Sequence, residues 1–242
     1  MTTVFVHGVP ETASIWDRLR AALDRDSVAL SLPGFGNARP AGFGATMDEY
    51  AHWLVRELER LPGPIDLVGH DWGGILTARM VTSGGSQLRS WVSDSAGAID
   101  PDFTWHDLAR TWQTPGDGEA FFAGLQDDVE GAAALLIAVG VPEQDAPRMV
   151  AALDNTMVAC ILDLYRSATN IGRDWGHAGA GAPQGLVLVG AADPLGDEAR
   201  SRTAATNLGA EFAAIDGAGH WWPLQAAEAG ARALEVFWSG CR

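Results

Sequence analysis

The chain has 242 residues, 47% of them hydrophobic and 19% charged, a globular composition long enough to bury roughly 70–75% of its unfolded surface. A small scaffold held together by disulfides is excluded. The formal net charge is −15 and all 16 basic residues are arginine, which excludes a Schiff-base lysine or a P-loop lysine and argues against nucleic acid, whose phosphates an acidic surface repels.

The β-rich runs at residues 4–6, 27–30, 65–68 and 91–92 alternate with amphipathic stretches, a pattern that predicts a parallel sheet covered by helices. Within residues 14–23 and 46–61, Trp, Tyr, Leu and Val recur three or four apart, so each stretch should form a helix with one buried face. Thr46 and Glu49 match a capping box at the start of the second. After Ala96 the pattern changes: residues 103–112, 119–125, 132–139 and 147–168 read as helices with no strand between them. Strands return at 185–189 and 211–215, and a last helix covers 226–238. The Gly- and Ala-rich segment 176–185 is the expected hinge. The predicted organisation is a core in two parts, residues 1–97 and 182–242, with a helical cap over 98–181.

The longest apolar run, residues 131–142, is too short to span a bilayer, and the amino terminus lacks a basic and apolar leader, so a cytoplasmic protein with no membrane contact is expected. Cys160 and Cys241 have no metal or redox spacing and read as ordinary thiols. Trp16, Trp53, Trp91 and Trp238 should pack in the core. Trp72, Trp105, Trp112, Trp221 and Trp222 fall beside the expected chemistry and are candidates to line an apolar pocket.

That chemistry centres on Gly69-His70-Asp71-Trp72-Gly73, which follows an apolar strand and opens a helix. A side chain at the apex of such a turn projects from the sheet, and the flanking glycines allow close backbone approach. Asp71 stands where serine hydrolases carry Ser. A carboxylate there attacks saturated carbon and forms an alkyl ester, so the substrate should carry a strained ring or a good leaving group. His220, in a glycine-rich loop after the last strand, suits the base that activates water for ester hydrolysis. Asp193, after the preceding strand, suits the acid that orients it, with Asp94 in reserve.

Together with His7-Gly8-Val9-Pro10 and Pro33-Gly34-Phe35-Gly36, these segments resemble the α/β-hydrolase superfamily in its epoxide hydrolase and haloalkane dehalogenase branches. The resemblance implies a minimal α/β-hydrolase fold, a six-stranded parallel sheet lacking the first two strands of larger relatives. It assigns the oxyanion-binding amides to Val9 and Trp72, with a cis bond before Pro10 common in the family; His7 and His70, in the same motifs, read as loop support around the oxyanion site, and a metal cluster of His7, His70 and Asp71 is disfavoured because their spacing matches no metal motif.

In the helical layer, Leu164-Tyr165-Arg166 resembles the segment that holds one ring-opening tyrosine. Phe103-Thr104-Trp105-His106 resembles the Trp-His segment of a branch that uses a His/Tyr pair. His106 and Tyr165 are therefore the expected donors to an opening epoxide, Tyr50 is packing, and the second lid tyrosine of many relatives is missing. The expected activity is opening of a small apolar epoxide to a vicinal diol, with water as the only co-reactant and no metal or organic cofactor.

The alternative is a hydrolytic dehalogenase acting on an organohalide, with the Trp72 indole on the halide. Val9 stands where those enzymes commonly have a second donor, Asn, and Trp105 or Trp112 would have to replace it. A ligand-binding module on the same scaffold is a third reading. Monomer and homodimer both stay open.

Overall fold

In the computed structural model, residues 1–84, 87–176 and 183–241 are described. Six strands, β1 (Thr2–Val6), β2 (Ser27–Leu30), β3 (Ile65–Gly69), β4 (Leu88–Ser93), β5 (Gln184–Gly190) and β6 (Glu211–Ile215), form one parallel sheet in the order β2-β1-β3-β4-β5-β6. Parallel neighbours need long crossovers, which here carry the helices. Both faces of the sheet are covered, so Val4, Phe5, Val6, Leu67, Val68, Val187 and Leu188 are fully buried and the strands read as continuous apolar runs.

A 3-10 turn (Ala13–Trp16) leads into α1 (Asp17–Ala21), followed by α2 (Met47–Glu59) and α3 (Trp72–Thr82). Between β4 and β5 come α4 (Asp107–Gln113), α5 (Asp117–Asp127), α6 (Val129–Ala138), α7 (Ala146–Ala152), α8 (Asn155–Ser167) and α9 (Ile171–Trp175), and then α10 (Glu198–Leu208), α11 (Trp222–Gln225) and α12 (Ala227–Gly240). The capping box on α2 is present, with Thr46 accepting the Glu49 N–H. The single helix expected over 147–168 is instead two, because Leu153 leaves helical geometry and the Asp154 side chain caps a new start by accepting the Met157 N–H at 2.8 Å. The helix expected from 103 begins only at Asp107, where His106 is its cap. Helix α10 was not expected: it buries only Ser201, Ala204 and Ala205, side chains too small to leave a hydrophobic stripe in the sequence.

Trp16, Trp91 and Trp238 are buried, and Trp53 is half-buried against the core. Most of the expected hinge and the proposed cap boundary at 181 lie outside the described residues. Among the described residues no helix is long and apolar enough to cross a membrane, and both cysteines are free.

The register places the site. Val6 of β1 lies beside Gly69 of β3, and Gly69 beside Ser93 of β4. The loops that follow, carrying His7 to Glu11, His70 to Asp71, and Asp94, therefore leave the carboxyl edge of the sheet side by side, where ligands bind in open α/β sheets.

Candidate active site

Asp71 occupies the tight turn between β3 and α3 with φ +49° and ψ −120°, a conformation that side chains seldom adopt and that persists only when its surroundings fix it. They do so here. A Cβ on Gly69 would lie 2.1 Å from the Gly73 carbonyl oxygen, and one on Gly73 would lie 2.1 Å from that of Val6, so no larger residue fits either place. Asp94 Oδ1 accepts the Asp71 backbone N–H at 2.9 Å. The Asp71 carboxylate accepts the Val9 N–H on Oδ2 at 2.7 Å across a contact that requires Gly8, where a Cβ would come within 2.3 Å of that oxygen. The bond before Pro10 is cis. Burial pushes the Asp71 carboxyl up to about 6, against the pull of His220, His70 and the Trp72 backbone N–H. It is ionised at neutral pH.

His220 Nδ1 lies 3.0 Å from Asp193 Oδ2, and Asp193 Oδ1 accepts the Leu195 N–H at 2.7 Å. The acid is thereby fixed on the histidine's far side, leaving Nε2, 4.0 Å from Asp71 Oδ1, as the free nitrogen. Burial disfavours the charged imidazole, yet the Asp193 bond and charge outweigh it and hold His220 above its usual value. Asp193 is held low: burial opposes its charge and His220 more than compensates. Asp94 reaches a different histidine.

Beneath Asp71 lies a buried network in which Glu11 was not foreseen. His70 sits between two carboxylates, Nε2 2.9 Å from Glu11 Oε1 and Nδ1 2.5 Å from Asp94 Oδ2. Burial works against its charge, but Glu11 and Asp94 raise it well above the ordinary histidine value, so the imidazolium is held at neutral pH. Glu11 Oε2 also accepts the Gly8 N–H at 2.8 Å, and Asp94 accepts from Trp222 Nε1 at 2.8 Å and the Ser95 hydroxyl at 2.9 Å. The signal in the sequence was an acidic residue directly after Val9-Pro10 in a loop otherwise lined for burial. His7 behaves differently: burial lowers it to about 4, and the neutral ring donates from Nδ1 to the Gly8 carbonyl at 2.8 Å while Nε2 accepts the Leu32 N–H at 3.1 Å. Among the described residues no group of three or more His, Cys, Asp or Glu side chains is placed to hold a metal ion.

A cavity of about 510 Å³ opens above Asp71, with Val9, Asp71, Asp193 and His220 on the core side and Trp105, His106, Trp112 and Tyr165 from the helical layer. Its surface is mainly apolar. His106 Nδ1 accepts the Ala109 N–H at 3.2 Å, which requires the neutral tautomer with its proton on Nε2. Burial and the nearby His220 keep it neutral by lowering its pKa. Tyr165 packs against Trp72, Trp105 and Trp112 with centroid separations of 5.5, 5.1 and 4.8 Å. Burial and the Asp71 charge raise the Tyr165 hydroxyl well above its ordinary value, so it is a protonated phenol.

The tryptophans separate into two groups. Trp105, Trp112 and Trp221 line the cavity; Trp72 and Trp222, also expected there, do not. Trp72 is completely buried, stacked on Trp105 at 5.7 Å, and Trp222 turns its N–H to Asp94. The Trp105 N–H is engaged by the Ala168 carbonyl at 2.8 Å and that of Trp221 by Val139 at 3.2 Å. Tyr50 is core packing, its hydroxyl donating to the Pro33 carbonyl at 2.7 Å.

A parallel sheet with a carboxylate at the strand-to-helix turn, a histidine after the last strand and an acid behind it defines an α/β-hydrolase. The sequence agrees: residues 3–233 match the model of the alpha/beta hydrolase family, and the chain belongs to that family. No curated protein sequence matches it. Among solved structures it is similar to epoxide hydrolase A from Mycobacterium thermoresistibile, at TM-score 0.82 and 20% identity over 100% of this chain and 92% of the other. It is also similar to haloalkane dehalogenase DbeA from Bradyrhizobium elkani, at TM-score 0.72 and 19% identity over 99% and 90%. A thermophilic esterase from Thermogutta terrifontis matches at TM-score 0.75 and 19% identity over 99% and 89%. Three different chemistries at such identities establish the shared fold alone.

Proposed function

We propose that the protein hydrolyses a small apolar epoxide to a vicinal diol, with helices α4 to α9 acting as the cap that closes the pocket. The observation that carries this reading is the pairing of an ionised Asp71 with two neutral N–H and O–H donors, His106 and Tyr165, on one mainly apolar cavity. An opening epoxide needs both, because its alkoxide is too basic to leave without a proton. A halide needs only anion-stabilising donors, and the Trp72 indole that would serve as one is sealed away from the cavity.

In the first half-reaction Asp71 attacks an epoxide carbon, the ring C–O bond breaks with its electron pair going to oxygen, and that oxygen takes the Tyr165 proton while His106 Nε2–H donates a hydrogen bond. The products are an alkyl ester on Asp71 and a Tyr165 phenolate. In the second, His220 takes a proton from water as the oxygen adds to the ester carbonyl. The Val9 and Trp72 backbone N–H groups receive the oxyanion. Collapse restores the Asp71 carboxylate and frees the diol, and the proton on His220 returns through solvent to Tyr165.

Parallel assays of diol and free halide over panels of epoxides and haloalkanes test the reading. Wild type should form diol, and Tyr165→Phe should lose about 10²- to 10⁴-fold of that rate, the scale of one positioned proton donor. Halide release without diol, or a Tyr165→Phe enzyme as fast as wild type on epoxides, would overturn it.

A further inference from the structure

Trp72 contributes a backbone N–H beside Asp71, but its side chain presents a separate puzzle. The indole is fully buried, and its Nε1–H has no aligned hydrogen-bond acceptor in the resting protein. A buried donor left unmade costs free energy, so it calls for an explanation. Its neighbours narrow the choice. One face stacks on Trp105, whose own N–H is spent on the Ala168 carbonyl. The two rings of Trp72 and Tyr165 meet in a T-shaped contact with centroids 5.5 Å apart; burial, Asp71 and Glu11 oppose ionisation of the Tyr165 hydroxyl, and the Trp72 side chain is the group that favours it.

An indole N–H is a donor and never an acceptor. Next to a neutral phenol it leaves the phenol's own proton free for the cavity. Once that proton is given to a substrate oxygen, Tyr165 is a phenolate in a buried, acidic site, and the preceding mechanism keeps it so until the His220 proton returns. Such a charge needs a fixed donor.

We propose that Trp72 is a positioning residue for Tyr165, its indole N–H held in reserve to bind the phenolate oxygen that ring opening creates. The inference rests on the reading of Tyr165 as proton donor and adds what makes one tyrosine sufficient where many relatives use two. Trp72 would serve both half-reactions: its side chain would hold the phenolate and its backbone N–H the ester oxyanion.

The test can be made without substrate. Only two tyrosines exist, Tyr50 and Tyr165, so global replacement by 3,5-difluorotyrosine, whose phenol ionises at lower pH, gives two fluorine resonances that Tyr165→Phe assigns. In Trp72→Phe, which keeps the backbone N–H, the Tyr165 ionisation should move up by about one pH unit or more, a tenfold or greater loss of phenolate stability. The Tyr50 resonance should not move with it. In the otherwise wild-type labelled protein, the Trp72 indole N–H resonance should shift downfield with the same midpoint as the Tyr165 fluorine signal, a readout that survives if Trp72→Phe does not fold. An unchanged Tyr165 midpoint in a folded Trp72→Phe, or an indole resonance indifferent to Tyr165 ionisation, would overturn the proposal. Because no epoxide is present, that failure is distinct from an absence of diol formation, which would count against the epoxide reading instead.

Discussion

His220 Nε2 stands 4.0 Å from Asp71 Oδ1, beyond hydrogen-bonding distance, while Asp71 Oδ2 is held by the Val9 N–H. One carboxylate oxygen is anchored and the other is left unbonded by the histidine. In the proposed scheme this division suits a carboxylate that attacks before the base is needed, and it separates the pH requirements of the two half-reactions.

Alkylation requires an ionised Asp71, so its single-turnover rate should rise with pH through about 6 and level off above. In His220→Gln the imidazole no longer favours the Asp71 charge, and the midpoint should move up. The same variant should accumulate the covalent adduct, since ester hydrolysis needs a neutral His220 as base. Rapid-quench intact mass across pH measures both; a midpoint in the ordinary carboxylate range near 4 would contradict the burial argument.

Two of the glycines around the Asp71 turn should fail differently. In Gly8→Ala the new methyl group displaces the Asp71 carboxylate, so activity should fall about 100-fold with a melting temperature near wild type. In Gly73→Ala the clash is with the Val6 backbone carbonyl, which cannot move aside, and the loss should be about 3 kcal/mol or more of stability, a fall in Tm of about 6 °C or more. Calorimetry beside turnover separates them.

His70→Phe removes the one cation between Glu11 and Asp94 and strands two buried carboxylates, at a cost of about 3–5 kcal/mol by denaturant unfolding at neutral pH. In wild type, His70 has a folded pKa above its unfolded value near 6.5. Its stabilisation is therefore complete below pH about 6.5 and lost as pH rises through the folded value. A His70→Phe protein as stable as wild type would remove the network from the account of the turn.

His106 has two separable duties. His106→Ala should lose about 1 kcal/mol of stability with the α4 cap, whereas His106→Asn keeps a capping acceptor and should stay near wild type. Both lose the Nε2–H donor, so both should slow epoxide opening alike. Full activity in the Asn variant would confine His106 to capping.

Much of this was legible in the residues. The six strands were marked by short, mostly apolar runs between helical stretches, and Asp71 by the glycines that its turn demands, because both depend on local pattern and sterics. The long-range pairings were not. Nothing near Glu11 in the sequence names His70 as its partner, and although the order of the loops put Asp193 first for His220, nothing in it sends the reserve acid Asp94 to His70. Trp72 differs from expectation for a similar reason: its place after Asp71 is fixed, but whether its indole faces the cavity or packs on Tyr165 is decided by how Trp105 and α8 pack against it. Helix α10 escaped notice because alanine, serine and threonine can be buried without leaving a periodic stripe.

Covalent attack by Asp71 is tested most directly by a single turnover of an epoxide in ¹⁸O-enriched water, with enzyme in excess, followed by mass analysis of the Asp71 peptide and the diol. The expected result is heavy oxygen in the Asp71 carboxylate and a first-turnover diol whose new oxygen is unlabelled. Label in the diol with none in Asp71 would mean that water attacks the epoxide directly, and the Asp71 ester would have to be abandoned.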